Sequence, residues 1–190
     1  MSDLRRRGNR LVTVVGSAQI NENDPRWDAA FDLGRQLADA GWTVVTGGYR
    51  GLMAAAARGA KSVGGATVGL PISSWTHLAP DESHDELRWC ENFSERAIHI
   101  LSSHAVVVLD GGVGTLSELA IVWSTAQTES ASPSLFLVGD IWHRLYPILT
   151  STLLVSADDA AVPIVVSTNG EVVRHLAANA PRRSGSGPRG

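Results

Sequence analysis

Ala105-Val106-Val107-Val108-Leu109-Asp110-Gly111-Gly112-Val113-Gly114-Thr115-Leu116-Ser117-Glu118 decides the fold. Its first five residues are an apolar, β-branched run with the length of a buried parallel strand. Beyond the glycines, Leu116, Leu119, Ala120, Val122 and Trp123 recur at helical spacing. Three glycines therefore turn a strand into a helix. Such a turn leaves backbone N–H groups without acceptors at the helix start, with the positive end of the helix dipole behind them. That arrangement favours an anion, and phosphate is the usual occupant.

A second turn of the same kind lies upstream. A strand over 42–46 runs into Gly47-Gly48-Tyr49-Arg50-Gly51, and a helix begins at Leu52. The remaining pattern is also strand then helix. Strands are predicted at 11–15, 66–70, 135–138 and 163–166, with helices near 25–40, 52–63, 92–102, 114–126, 143–154 and 170–178. Asp24-Pro25 supplies an N-cap and an N1 proline. Residues 71–91 show no clear period beyond a short strand near Leu87, and loops of that length are often functional.

Alternating strands and helices imply an α/β fold: one doubly wound, Rossmann-like parallel sheet with helices on both faces. In a 3-2-1-4-5 strand order the first and fourth major strands are neighbours, and ligands bind beyond their C-terminal ends. Gly16 and Ser17 would then face Asp110 and Gly111 across one crevice, with Gly47 and Gly48 next along the edge. The first strand lacks the dinucleotide fingerprint, and no P-loop GK[ST] is present.

Composition limits the choices further. The chain has 190 residues, 44% of them hydrophobic, and a net charge of −3. One domain over 10–180 is expected, between a basic tail at 1–9 and a disordered tail at 181–190. No general nucleic-acid surface, membrane span or signal sequence is expected. The single cysteine, Cys90, fits a reducing cytoplasm, and no Cys/His cluster has metal-ligand spacing. A pyridoxal enzyme is excluded in practice, because the only lysine, Lys61, lies on a helix well past the second turn.

Two readings of Glu118 are open from spacing alone. It sits one turn beyond the glycines, where it can act on whatever they hold. Thr115-Leu116-Ser117-Glu118 also fits a capping box with Thr at N-cap and Glu at N3.

Thr46-Gly47-Gly48…Gly51-Leu52-Met53, Gly59-Ala60 and Gly111-Gly112-Val113-Gly114-Thr115-Leu116-Ser117-Glu118 together resemble the Lonely Guy (LOG) family over about residues 12–146. That resemblance implies hydrolysis of the N-glycosidic bond of a nucleoside 5′-monophosphate, such as AMP or an N6-modified AMP, to base and ribose 5-phosphate. It implies no cofactor, no metal and a homodimer. Glu118 matches the family's catalytic glutamate and Arg96 the arginine of its RK pair. Gly111, Gly112, Gly114 and Thr115 match the phosphate turn, and Ser124 falls where a threonine is common.

Two departures stand out: Ala97 replaces the lysine that follows the arginine, and Asp110 replaces the proline that precedes the glycines. Asp110 reads either as a partner for a ribose hydroxyl or as a turn cap, and Arg96 also reads as a plain helix-surface cation. A non-catalytic branch of the same superfamily, the molybdenum cofactor carriers, keeps the glycine turns and the glutamate. A nucleotide- or cofactor-binding role is therefore the alternative.

Overall fold

The computed structural model describes residues 8–129 and 131–178. The expectation of a disordered tail at 181–190 and most of the basic tail lie outside them. In chain order the elements are β1 (Leu11–Val15), α1 (Pro25–Asp39), β2 (Thr43–Thr46), α2 (Leu52–Ser62), β3 (Thr67–Gly69), β4 (Glu86–Leu87) and α3 (Phe93–Leu101). There follow β5 (Ala105–Val108), α4 (Val113–Thr128), β6 (Ser134–Val138), α5 (Asp140–Thr152), α6 (Ala157–Ala160), β7 (Pro163–Val166) and α7 (Asn169–Ala178).

The seven strands form one sheet in the order β4-β3-β2-β1-β5-β6-β7, and every pairing is parallel. β1 and β5 are neighbours, with Val12 opposite Ala105 and Val15 opposite Val108. Both faces are covered, which is why the central strands read as continuous apolar runs rather than alternating ones. Val12, Val14, Val44, Val107 and Phe136 belong to the cluster on one face, with Leu33 and Leu37 of α1. Leu11, Val15, Val45, Val106 and Val108 belong to the other, with Ile100 of α3 and Leu119 and Val122 of α4. The period of two along each strand distributes adjacent residues between the two cores.

The helix-start signals act as read. Asp24 accepts a 2.9 Å hydrogen bond from the Arg26 N–H at the head of α1, and Asn92 accepts a 3.0 Å bond from Glu95 N–H at the head of α3. Two differences from the sequence reading have physical causes. α5 begins at Asp140 rather than His143, because Gly139 adopts φ +118 and starts the turn directly off β6. The short helix α6 carries no periodic signal in four residues; it is held by its Ser156 cap and by Trp123, whose Nε1–H donates to the Asp159 carbonyl at 2.8 Å. The short strand expected near Leu87 is β4, which with a bridge between Ile72 and Cys90 ties residues 71–91 to the sheet edge. Among the described residues no helix is long and apolar enough to cross a membrane.

Candidate active site

The C-terminal ends of β1, β2 and β5 meet at one place because their turns are hydrogen-bonded together. Ser17 N–H donates to the Asp110 carbonyl at 2.9 Å, and Leu52 N–H donates to the Ser17 carbonyl at 2.9 Å. Gly51, at φ +75, sits against this junction: a Cβ there would lie 2.2 Å from the Ser17 carbonyl oxygen. Only glycine fits that conformation and that approach.

α4 opens at Val113 with Gly112 as its N-cap, and no side chain caps it. The Leu116 N–H bonds to the Gly112 carbonyl at 3.0 Å, so the N–H groups before it have no acceptor within the helix. The capping-box reading of Thr115 and Glu118 is therefore corrected: the helix has begun two residues before Thr115, and Glu118 lies well inside it. Gly111 is needed structurally, since a Cβ there would meet Thr115 Oγ1 at 2.1 Å. Gly112 and Gly114 are different. A Cβ at either meets nothing within 4 Å, so these two glycines leave open space above the free N–H groups.

Glu118 and Arg96 form a buried ion pair beside that helix start. They are 4% and 5% exposed, and Arg96 Nη2 donates to Glu118 Oε1. Burial pushes the Glu118 carboxyl above the ordinary glutamate range, while the charge and hydrogen bond of Arg96 oppose the rise. Arg96 Nε and Nη1 are buried without a hydrogen-bond partner. Buried donors are rarely left unpaired, so a guanidinium with two free edges points to an anionic or carbonyl-bearing ligand. Gly47 makes room for it, since a Cβ there would lie 2.8 Å from Nη2. Arg96 as a plain surface cation is thereby excluded.

A cleft of about 280 Å³ joins these parts. Gly16, Ser17, Arg96, Gly112, Gly114, Thr115 and Glu118, all candidates from the sequence, line it. Gly47 and Gly48 shape it from behind: Gly47 against Arg96, Gly48 at φ +82 with its N–H bonded to Thr46 Oγ1 at 2.9 Å. Gly111 backs Thr115. Asp110 turns aside into a neighbouring hollow with Gly139, where Arg26 Nη1 approaches its carboxylate at 3.4 Å. The negative charge beside the glycine turn is thus partly matched. Ser124 lies on the exposed side of α4, its hydroxyl donating to the Ile121 carbonyl at 3.1 Å. Arg50 is exposed.

The cleft also contains residues that sequence reasoning missed: Tyr49, Met53, Trp75, Leu78 and Phe93. Tyr49 directly follows the second glycine pair, which was the available signal. Trp75 and Leu78 lie in the aperiodic 71–91 segment, where nothing in the spacing tells which side chains turn inward. Among the described residues no group of three or more His, Cys, Asp or Glu is placed to hold a metal.

Known proteins share this architecture. The chain is 36% identical to a cytokinin riboside 5′-monophosphate phosphoribohydrolase of Mycobacterium tuberculosis over 61% of its own length and 64% of the relative's. The match thus spans slightly less than two thirds of that enzyme. Among solved structures, the molybdenum cofactor carrier protein of Chlamydomonas reinhardtii superposes with a TM-score of 0.69 at 26% identity, covering 90% of this chain and 99% of that one. The molybdenum cofactor binding protein of Rippkaea orientalis gives 0.72 at 23% identity, over 90% and 96%, and shows the fold alone. The sequence pattern of the SLOG cluster4 family matches residues 9–129, which include both glycine turns, Arg96 and Glu118, and the chain belongs to that family.

Proposed function

We propose that the chain hydrolyses the N-glycosidic bond of a nucleoside 5′-monophosphate, releasing free base and ribose 5-phosphate. The observation that carries this reading is the buried Arg96–Glu118 pair beside an uncapped helix start in one cleft. The 5′-phosphate rests on the N–H groups of residues 112–115, where fixed dipoles favour it. Ribose then extends toward Glu118. Glycosidic cleavage passes through an oxocarbenium-like transition state, and a carboxylate beside C1′ stabilises that charge or takes a proton from the attacking water. Water oxygen bonds to C1′, the C1′–N bond breaks, and the base leaves with its electron pair and a proton. Arg96 holds the carboxylate and offers its two free N–H edges to the ligand. The relative from Mycobacterium tuberculosis, named for this reaction, supports the reading. Chromatography of AMP and N6-substituted AMP after incubation with the chain tests it, with base and ribose 5-phosphate expected in equal amounts.

The likeness to the Chlamydomonas carrier favours a second reading, in which the same cleft binds a phosphorylated ligand without turnover. Both readings place an anion on the α4 start, which yields a separate prediction. Gly114→Ala leaves stability unchanged or raises it by up to about 1 kcal/mol, because the methyl meets no neighbour and alanine is the better helix former. The same methyl stands where the ligand approaches, so calorimetric titration should show AMP binding weakened at least tenfold. Unchanged affinity would move the phosphate elsewhere.

We further infer a homodimer. Leu119, Val122 and Trp123 of α4 are covered by the chain itself, so they do not argue for a partner. The uncovered side of α4 carries Val113, 83% exposed, with Leu116 and Ala120, and the adjacent α3 presents Ile98, 62% exposed. Light scattering should give twice the 20.1 kDa chain mass; one chain mass at all working concentrations would refute the assignment.

The missing lysine has a structural consequence as well. Ala97 is 9% exposed, and among the described residues Arg96 is the one cation lining the cleft.

A further inference from the structure

We propose that His84 is a positioning residue for the cleft: as a neutral imidazole it latches the second glycine turn in place through Thr46, and its protonation releases that turn. The latch belongs to the ligand-free chain; its bearing on nucleotide binding rests on the nucleotide reading above.

Thr46 ends β2 fully buried, and its Oγ1 accepts the Gly48 N–H at 2.9 Å. The same oxygen lies 2.7 Å from His84 Nε2, and His84 Nδ1 lies 3.2 Å from the Asp81 carbonyl. Only one neutral arrangement satisfies both contacts. Nδ1 carries the proton that it gives to the Asp81 carbonyl, which leaves Nε2 to accept from the Thr46 hydroxyl. Asp81 N–H donates in turn to the Gly48 carbonyl at 2.9 Å, so both polar groups of the Gly48 backbone are tied into one ring of contacts. Gly47, between Thr46 and Gly48, is the backbone against which Arg96 lies: a Cβ there would stand 2.8 Å from Nη2. A shift of this turn therefore moves the bed of the cation that pairs with Glu118.

Protonation breaks the arrangement. With a proton on Nε2 the ring no longer accepts, and the Thr46 hydroxyl, 0% exposed, keeps no acceptor among the described residues. Leaving a buried donor unpaired is costly. The imidazole itself is buried and rests on β3, where a Cβ on Gly69 would lie 3.1 Å from its Cγ. The charged groups that bear on it are Asp81 and Asp85 of its own segment and Lys61 of α2. Lys61 pairs with Asp85 at 3.0 Å, and Arg58 approaches Asp81 at 3.4 Å. β3 and residues 46–48 bring no titratable side chain. Burial outweighs the two acids and holds His84 below the ordinary histidine range, so the latch is closed at neutral pH. The unfolded chain takes up this proton first. Falling pH therefore costs stability from about 6.5, the ordinary value, down to the folded one.

The test is a pH series by NMR on the ligand-free chain, with calorimetric titration of AMP at neutral pH into wild type and variants whose folding is verified by circular dichroism. The His84 ring nitrogens should show the Nδ1–H form at neutral pH. The Gly48 amide should shift with the same midpoint as the ring, below about 6.5. His84→Ala and Thr46→Val should weaken AMP roughly two- to tenfold, the range for one buried hydrogen bond. His84→Gln places a non-titrating acceptor near the position of Nε2, so it should recover most of that affinity and remove the Gly48 midpoint. A Gly48 amide that ignores the His84 midpoint overturns the proposal, as does His84→Ala binding AMP like wild type. So does His84→Gln binding as weakly as His84→Ala, since His84 would then act by packing alone. Wild type that binds no AMP overturns the nucleotide reading but not the latch, which the Gly48 titration then decides.

Discussion

Glu118→Gln should lower the rate of base release by roughly 10²–10⁴-fold, the usual contribution of a positioned acid–base group, while AMP still binds. Glutamine keeps the shape of the side chain and a carbonyl that accepts from Arg96, but it cannot take a proton or carry the charge that faces C1′. The wild-type rate should climb with pH above the range where an ordinary glutamate titrates, because burial raises this carboxyl and only its ionised form serves. The same shift makes the folded state hold a proton that the unfolded chain has released. Glu118 by itself therefore lowers stability as pH rises between its unfolded and folded values. The variant should lose both dependences. Turnover at the wild-type rate would reduce Glu118 to a packing group.

Arg96→Ala should be the most destabilising single change in the cleft. It leaves the Glu118 carboxylate, 4% exposed, without its counter-ion. Breaking a buried pair from one side costs about 3–5 kcal/mol, which in a domain of this size lowers Tm by about 6–20 °C. Replacing both partners with apolar side chains, as Arg96→Met with Glu118→Leu, should restore most of that stability and none of the activity. Thermal melts of the two variants decide the point. Arg96→Ala melting with wild type would mean that the pair is solvated and the cleft more open than it is here.

The strand order and the β1–β5 crevice were legible because backbone requirements are written locally: β-branched runs, glycine at turns, Asp24 and Asn92 as caps. The glycine turn from β5 into α4 was legible for the same reason. Burial was not. Nothing in the spacing distinguishes a surface Arg96 from one enclosed between Gly47, Trp75 and Glu118, since that enclosure depends on three elements distant in sequence. The T-x-x-E pattern at Thr115 misled because Gly112 can start α4 with no side-chain cap, which moves the helix start upstream. Asp110 and Ser124 were adjacent in sequence or pattern to the site, yet their side chains point elsewhere, and direction is set by packing rather than by position. Trp75 was hidden for the opposite reason: its turns have no periodic signature.

Hydrolysis and carriage differ in the fate of the bound nucleotide. Purified chain should be loaded with an equimolar amount of AMP, held at neutral pH, then denatured, and the released small molecules separated by chromatography. Adenine and ribose 5-phosphate in equal amounts, with Glu118→Gln returning AMP intact, is the result the proposed hydrolysis predicts. Intact AMP recovered from wild type as well, after binding has been demonstrated, would contradict the enzymatic reading and leave a binding protein.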